Sequence, residues 1–188
     1  MKPVVLVTAI GTVTATAIVT ELKKTNEYYL IGADINPENQ IATSLDVDEY
    51  HVFPYASNDD YLDFVLDFCK QHKVDYYYAV LDIEVVKISR ARDKFAEIGT
   101  KLCMANYEYC STCHFKNSFN EWIRNNVPEV YIKTYQSYDE IKDFPVFIKP
   151  VEGVASSGCR PVQTMEALKE SVSLEAFNKK IIVQELVK

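Results

Sequence analysis

A lysine followed by a loop of small residues is the stretch of this sequence best suited to chemistry. Lys149 ends the run Val146-Phe-Ile148, whose β-branched and aromatic side chains favour an extended strand. Gly153 and Gly158 can adopt positive φ, so backbone N–H groups between them can turn toward a bound anion. A cation beside such a loop suits phosphate. A plain hairpin turn with a solvated lysine explains these residues about equally well.

An acid at the end of the second predicted strand is another candidate. The apolar run Val4–Thr8 is typical of a strand buried in a parallel sheet, and a second strand, Tyr28–Ala33, leads into Asp34. Dinucleotide-binding folds hold ribose hydroxyls with an acid at this position. However, only Gly11 stands where the G-x-G-x-x-G motif needs three glycines. We therefore predict that Asp34 caps a turn or a helix.

The cysteines offer a third kind of chemistry. Cys110-Ser-Thr-Cys113-His114 has the C-x-x-C-H spacing of c-type haem attachment, and Cys103 could complete a zinc site. Haem attachment of this kind needs export, and the N-terminus lacks the pattern of a secretory signal. We therefore expect a cytoplasmic protein whose five cysteines are free thiols. No metal ligand is assigned within the chain.

Two patterns of elements would position these residues. Strands at 4–8, 28–33, 49–54, 74–81 and 101–104 alternate with helices, which predicts a Rossmann-like α/β domain with a parallel sheet over residues 1–106. Residues 107–188 read as α+β: a helix over 107–126, strands at 130–134, 146–149 and 181–187, an amphipathic stretch at 139–144, and a helix at 165–177.

Composition restricts the class of protein. A chain of 188 residues that is 48% hydrophobic can bury a substantial core. A formal net charge of −7 gives no electrostatic basis for binding nucleic acid. No apolar run approaches the roughly 20 residues that cross a bilayer, so we expect no membrane partner.

Together, these motifs resemble the ATP-grasp superfamily, and within it the large subunit of carbamoyl-phosphate synthase. The match around Lys149 is the specific one, and three weaker matches occur in the same order as in the family. They are Asp82-Ile-Glu84 with Gly99 (a D-x-E helix ending in F-x-x-x-G), Lys116 with Glu121-Trp-Ile (D-K, then E-F-L), and Val183-Gln-Glu185 (the V-Q-E hinge strand). Phe115 replaces the acid that precedes the family's first lysine.

The resemblance implies a pre-ATP-grasp domain over 1–106 and the first lobe of an ATP-grasp domain over 107–188. It implies that Lys149 contacts the α- and β-phosphates of ATP, with Lys116 as a second phosphate-side lysine. The remaining implied contacts are Ser156, Ser157 and Gly158 over the phosphates, and Glu185 with the backbone at Leu186 and Val187 along the adenine edge.

The implied activity is ATP-dependent ligation. A carboxylate or bicarbonate is activated as an acyl phosphate and then attacked by an amine or ammonia, so the partners are ATP and a small carboxylate or amine, with homo-oligomerisation left open. Mg²⁺ would be bound by a second lobe after Lys188, and we expect this chain alone to be inactive and to bind ATP weakly. The alternatives are a Rossmann-type nucleotide- or sugar-nucleotide-binding module without ligase activity, and a non-catalytic regulatory domain.

Overall fold

The chain forms two compact units, Met1–Cys110 and Ser111–Lys188. The structure, a computed structural model, describes residues 2–153 and 156–187. The two units are described separately below. Within the described residues, no helix is both long enough and apolar enough to cross a membrane.

The first unit is built on a parallel sheet of five strands. Their order across the sheet is β3-β2-β1-β4-β5, with β1 at the centre. The strands are β1 (Val4–Thr8), β2 (Tyr29–Asp34), β3 (Glu49–Val52), β4 (Tyr76–Tyr78) and β5 (Lys101–Leu102). The central strand is apolar on both faces because helices cover both. The predicted α/β fold with a parallel sheet is confirmed.

Helices line both faces of this sheet and produce two cores. They are α1 (Val13–Thr25), α2 (Tyr61–His72), α3 (Asp82–Arg90) and α4 (Arg92–Glu97). The next helix, α5 (Tyr107–His114), begins in the first unit and ends in the second. Val5, Val7 and Val19 belong to one core, and Leu6 and Phe95 to the other. Neighbouring residues of β1 thus enter different cores, as the alternation of side chains along a strand requires.

The second unit contains an antiparallel sheet in the order β7-β6-β8. Its elements are α6 (Lys116–Asn126), β6 (Val146–Pro150), β7 (Arg160–Val162), α7 (Met165–Ser171) and β8 (Ile181–Glu185). Val146 and Ile148 of β6 pack with Leu168 of α7 in a single core. Strand β6 is therefore fixed by neighbours on both edges and by a core on one face.

Several predicted elements differ from the structure. The predicted strand at 130–134 is wrong: Pro128–Val130 is a 3₁₀ turn, and Thr134 makes a single bridge to Gln184. The predicted helix over 165–177 ends at Ser171. The predicted helices over 82–99 and 107–126 are each divided in two, at Ala91 and at Phe115. Neither break is marked by proline or glycine, so no local signal predicts it.

Candidate functional site

Lys149 lies on the central strand of the second sheet and faces away from its core. Val146 and Ile148 of the same strand are 0% and 2% exposed. Because side chains alternate between the faces of a strand, Lys149 projects from the other face. Its side chain is half-buried there. Burial lowers the pKa of Lys149, and the ammonium of Lys116 lowers it further.

Lys116 is joined at two points to the segment that follows β6. Its backbone N–H donates to the carbonyl oxygen of Val151 over 3.1 Å, and its Nζ donates to the carbonyl oxygen of Gly153 over 3.1 Å. Lys116 is the first residue of α6, so its N–H has no partner within the helix. The structure therefore brings both predicted lysines to one place, beside the predicted loop.

The described part of the loop forms a tight turn. Ser156 has φ 58°, and the N–H of Cys159 donates to the carbonyl oxygen of Ser156 over 3.0 Å. Gly158 has φ +74°, and a Cβ there would lie 3.0 Å from Cγ of Pro150, so both conformation and space favour glycine. Ser156, Ser157 and Gly158 are exposed. Val154 and Ala155, also in the predicted loop, lie outside the described residues.

The predicted adenine-side residues lie at the far end of β8. Lys149 pairs with Ile182 and Val146 with Glu185, so about 10 Å of strand separates the two ends of the site. Alternation places Gln184 on the Lys149 face and the Glu185 side chain on the opposite face. The backbone after Glu185, at Leu186 and Val187, has left the strand. The register does not bring the side chains of Lys149 and Glu185 together.

Arg160, considered as a further cation, is occupied elsewhere. It is exposed on β7, and its Nη2 donates to Oγ of Ser171 in α7 over 3.0 Å. This arrangement agrees with the interpretation that Arg160 is a solvated strand arginine.

The first unit holds a pocket of ≈ 320 Å³ at the carboxyl ends of its strands. Strand order reverses between β1 and β4, and α/β sheets bind ligands at such a point. Thr8, Gly11, Asp34 and Glu84 contribute to its lining. The sequence did not reveal this pocket, because alternating strands and helices do not determine strand order.

Asp34 caps a turn at the rim of this pocket, as predicted. Its Oδ2 accepts from the N–H of Gly11 over 2.9 Å, and its Oδ1 accepts from the backbone and side-chain nitrogens of Asn36 over 3.1 and 2.9 Å. A Cβ at position 11 would lie 2.8 Å from Cδ1 of Ile41, so glycine is required for this close approach. Both oxygens of Asp34 are thus engaged within the turn.

Glu84 lies at the pocket with 1% of its surface exposed. The hydroxyls of Tyr61 and Tyr77 donate to its Oε1, and that of Thr8 donates to its Oε2 over 2.8 Å. Burial raises the pKa of Glu84, although the three hydroxyl donors act in the opposite direction. The carboxyl group of Glu84 can therefore stay protonated at pH values above the usual carboxyl pKa.

The five cysteines are free thiols, as predicted. Burial raises the pKa of Cys69 to about 12, which makes this thiol unreactive. Among residues 2–153 and 156–187, the side chains close enough to share a metal ion are Glu49, His51 and His72. Cys110, Cys113 and His114 do not form such a group.

Solved structures share this fold across the whole chain. An L-amino acid ligase from Bacillus licheniformis is 12% identical, with a TM-score of 0.67. The biotin carboxylase domain of 2-oxoglutarate carboxylase from Hydrogenobacter thermophilus, solved with MgADP, ADP and bicarbonate, is 15% identical with a TM-score of 0.72. N5-carboxyaminoimidazole synthetase from Staphylococcus aureus, complexed with ADP, is 9% identical with a TM-score of 0.67.

Each of these comparisons covers 100% of this chain but only 44%, 45% and 48% of the respective structure. The chain therefore spans less than half the length of these proteins, and the likeness at such identities is one of fold. A search of curated proteins finds no match to the sequence. Residues 5–103, more than half of the chain, match the family described as PylC-like, N-terminal domain. The chain belongs to the PylC-like, N-terminal domain family.

Proposed function

We propose that this chain is the ATP-binding portion of an ATP-grasp ligase, of the carbamoyl-phosphate synthase large-subunit type that its motifs resemble. In the whole protein, an oxygen of a carboxylate or bicarbonate attacks the γ-phosphorus of ATP, and ADP leaves. An amine or ammonia then attacks the acyl phosphate, and inorganic phosphate leaves. Residues 1–106 are the pre-ATP-grasp domain of this enzyme, and residues 107–188 are the first ATP-grasp lobe.

The observation that carries the proposal is the pair of lysines beside the loop. A half-buried ammonium whose pKa is lowered by burial and by a second ammonium is poorly neutralised by the protein itself. A bound polyphosphate supplies the missing negative charge. Lys149 and Lys116 then act as point charges that hold the phosphates and offset charge that develops during transfer.

The other contacts follow from the two ends of the β6–β8 pairing. Ser156, Ser157 and Gly158 cover the phosphates near Lys149. The backbone at Glu185, Leu186 and Val187 contacts the adenine edge. About 10 Å of strand separates this backbone from Lys149. The ribose and first phosphate of the nucleotide bridge that distance. The Glu185 side chain lies on the other face, so in this proposal its backbone makes the adenine contact.

The relatives of this fold support the class of reaction. One is named an amino acid ligase, and another was solved with MgADP and bicarbonate. Mg²⁺ prefers carboxylate oxygens. Among the described residues, the three-ligand group is Glu49, His51 and His72, in the first unit. Mg²⁺ is usually held by one or two carboxylates together with substrate phosphates and water. In this proposal its acidic ligands come from the second lobe, and the roles assigned here belong to the lysines and the backbone.

The proposal is tested by replacing Lys149 with alanine in the whole protein that carries this chain. We expect ATP turnover to fall about 100-fold or more, because a charge aimed at the phosphates is lost. Lys142, exposed on the loop before β6, provides the matched control, and Lys142→Ala should turn over ATP normally. Normal turnover by Lys149→Ala would remove Lys149 from the site.

The pocket of the first unit favours one other candidate function. It lies where Rossmann-type folds bind nucleotides, so a nucleotide- or sugar-nucleotide-binding module without ligase activity would use it. Thermal shifts of the whole protein with ATP, ADP, NAD and UDP-sugars separate the two candidates. Stabilisation by adenine nucleotides that is lost in Lys149→Ala supports the ligase. Stabilisation by NAD or a UDP-sugar that survives this substitution supports the module.

A further inference from the structure

A cluster of two histidines and a glutamate lies outside both regions described above. Glu49 and His51 are two residues apart on β3 and so lie on one face of this edge strand, and His72 is the last residue of α2. Nε2 of His51 lies 2.6 Å from Oε1 of Glu49, and Nδ1 of His72 lies 3.5 Å from the same oxygen. The three ligand atoms lie within 4.8 Å of one another.

Aromatic contacts hold these side chains in place. The ring of Phe68 stacks on His72, with centroids 4.1 Å apart and an interplanar angle of 14°, and it meets His51 edge-on at 4.8 Å. The hydroxyl of Tyr29 donates to Oε2 of Glu49 over 3.3 Å. This bond leaves Oε1 facing the two imidazoles. In metal sites, a hydrogen bond to a ligating carboxylate fixes its orientation in the same way.

We propose that Glu49, His51 and His72 bind a single Zn²⁺ ion. Two imidazoles and one carboxylate are a donor set that zinc uses when it keeps a fourth position for water. Tetrahedral zinc with bonds of about 2.0 to 2.1 Å holds its ligand atoms about 3.3 Å apart. The 3.5 Å between Nδ1 of His72 and Oε1 of Glu49 already fits this geometry. The 2.6 Å between Nε2 of His51 and Oε1 of Glu49 must lengthen, and the two histidine nitrogens must move closer together.

The environment of the cluster sets what the ion can do. The side chains of His51, Glu49 and His72 are 31%, 33% and 26% exposed, so a fourth ligand can enter from solvent. The ion would join the edge strand β3 to the end of α2. Because zinc binds the folded arrangement of residues far apart in sequence, binding stabilises the first unit.

Zinc titration of the 188-residue chain, followed by calorimetry and thermal unfolding, tests the proposal. We expect one Zn²⁺ per chain and a melting temperature at least about 3 °C higher with zinc in excess. The substitutions Glu49→Gln, His51→Gln and His72→Gln should each weaken binding more than tenfold, since even supporting residues of zinc sites contribute about 10- to 100-fold. If one of the other two variants fails to fold, His72→Gln tests the proposal, because His72 is the last residue of α2 and its replacement should disturb folding least.

Two controls exclude other ligands. His114→Gln removes the third histidine of the chain, which lies in the second unit, and should leave zinc binding unchanged. Co²⁺ bound in place of zinc should lack the intense near-ultraviolet bands of thiolate ligation, because no cysteine belongs to the cluster. Thiolate bands, no stoichiometric binding, or wild-type affinity in His72→Gln would overturn the proposal and leave an ordinary histidine–glutamate pairing.

Discussion

At the scale of single residues, Glu84 shows how burial and hydrogen bonding oppose one another. Its carboxyl group is almost completely buried, which favours the neutral form, while Tyr61, Tyr77 and Thr8 donate hydrogen bonds that favour the charged form. Burial is the larger effect, so the pKa is raised. The sequence marked Glu84 as part of a D-x-E helix, but its burial and partners depend on the packing of three elements.

This balance predicts a pH-dependent stability. The folded protein retains the Glu84 proton above the unfolded carboxyl pKa of about 4.3, whereas the unfolded chain releases it. The contribution of Glu84 to stability should therefore fall as pH rises from about 4.3 to the raised pKa of the folded state. Glu84→Gln resembles the protonated form and should lack this loss. Urea unfolding across pH, compared between wild type and Glu84→Gln, measures the difference.

The control for this prediction is Glu84→Ala. It leaves the buried hydroxyls of Tyr61 and Tyr77 without their acceptor and should cost about 3 kcal/mol or more at every pH. If the free energies of unfolding of wild type and Glu84→Gln changed in parallel with pH, the pKa of Glu84 would not be raised.

At the scale of elements, the sequence predicted those helices and strands whose own residues determine them. It did not predict features that depend on contacts with distant parts of the chain. The apolar strand Val4–Thr8 and the Lys149 strand were found because their own residues favour them. The strand predicted at 130–134 failed because its β-branched residues find only a single bridge, from Thr134 to Gln184. The break at Phe115, which places Lys116 at a helix start, has no local marker and became visible only in the structure.

The candidate site, too, could be predicted only in part from the sequence. Lys149, Lys116 and the loop could be proposed as site residues because a strand, a cation and small residues lie close together in sequence or match a family motif. The face on which Glu185 lies follows from the register of β8 against β6, which is a tertiary feature. The pocket around Glu84 required the order of strands. In general, candidate residues within one segment could be proposed from the sequence, and arrangements shared between segments could not.

Helix α6 gives a prediction at this scale. Phe119 and Trp122 of this helix are large apolar residues, yet they are 41% and 45% exposed. Trp122 is the only tryptophan of the chain, so its fluorescence reports on this face alone. We expect red-shifted emission that acrylamide quenches readily, and a cost below about 1 kcal/mol for Trp122→Gln. Emission typical of a buried indole in the 188-residue chain would contradict this exposure.

At the scale of the whole molecule, the two units each carry the interactions that a folded domain needs. Both hydrophobic cores that flank the parallel sheet consist entirely of residues before position 110. The core of the antiparallel sheet consists of residues after position 111. The family match, residues 5–103, falls within the first unit. Sequence, core and fold therefore agree on the first unit as a self-contained domain.

We accordingly predict that residues 1–110 fold when expressed alone. A piece of this size can bury enough apolar surface for a stable core, and it retains all five strands of the sheet. It should unfold cooperatively in urea, with a far-ultraviolet spectrum of mixed helix and strand. Residues 1–73 are the matched control: they lack β4 and β5, so one edge of the central strand β1 loses its partner, and cooperative unfolding should be absent. An unfolded 1–110 piece would mean that the first unit depends on residues beyond its own cores.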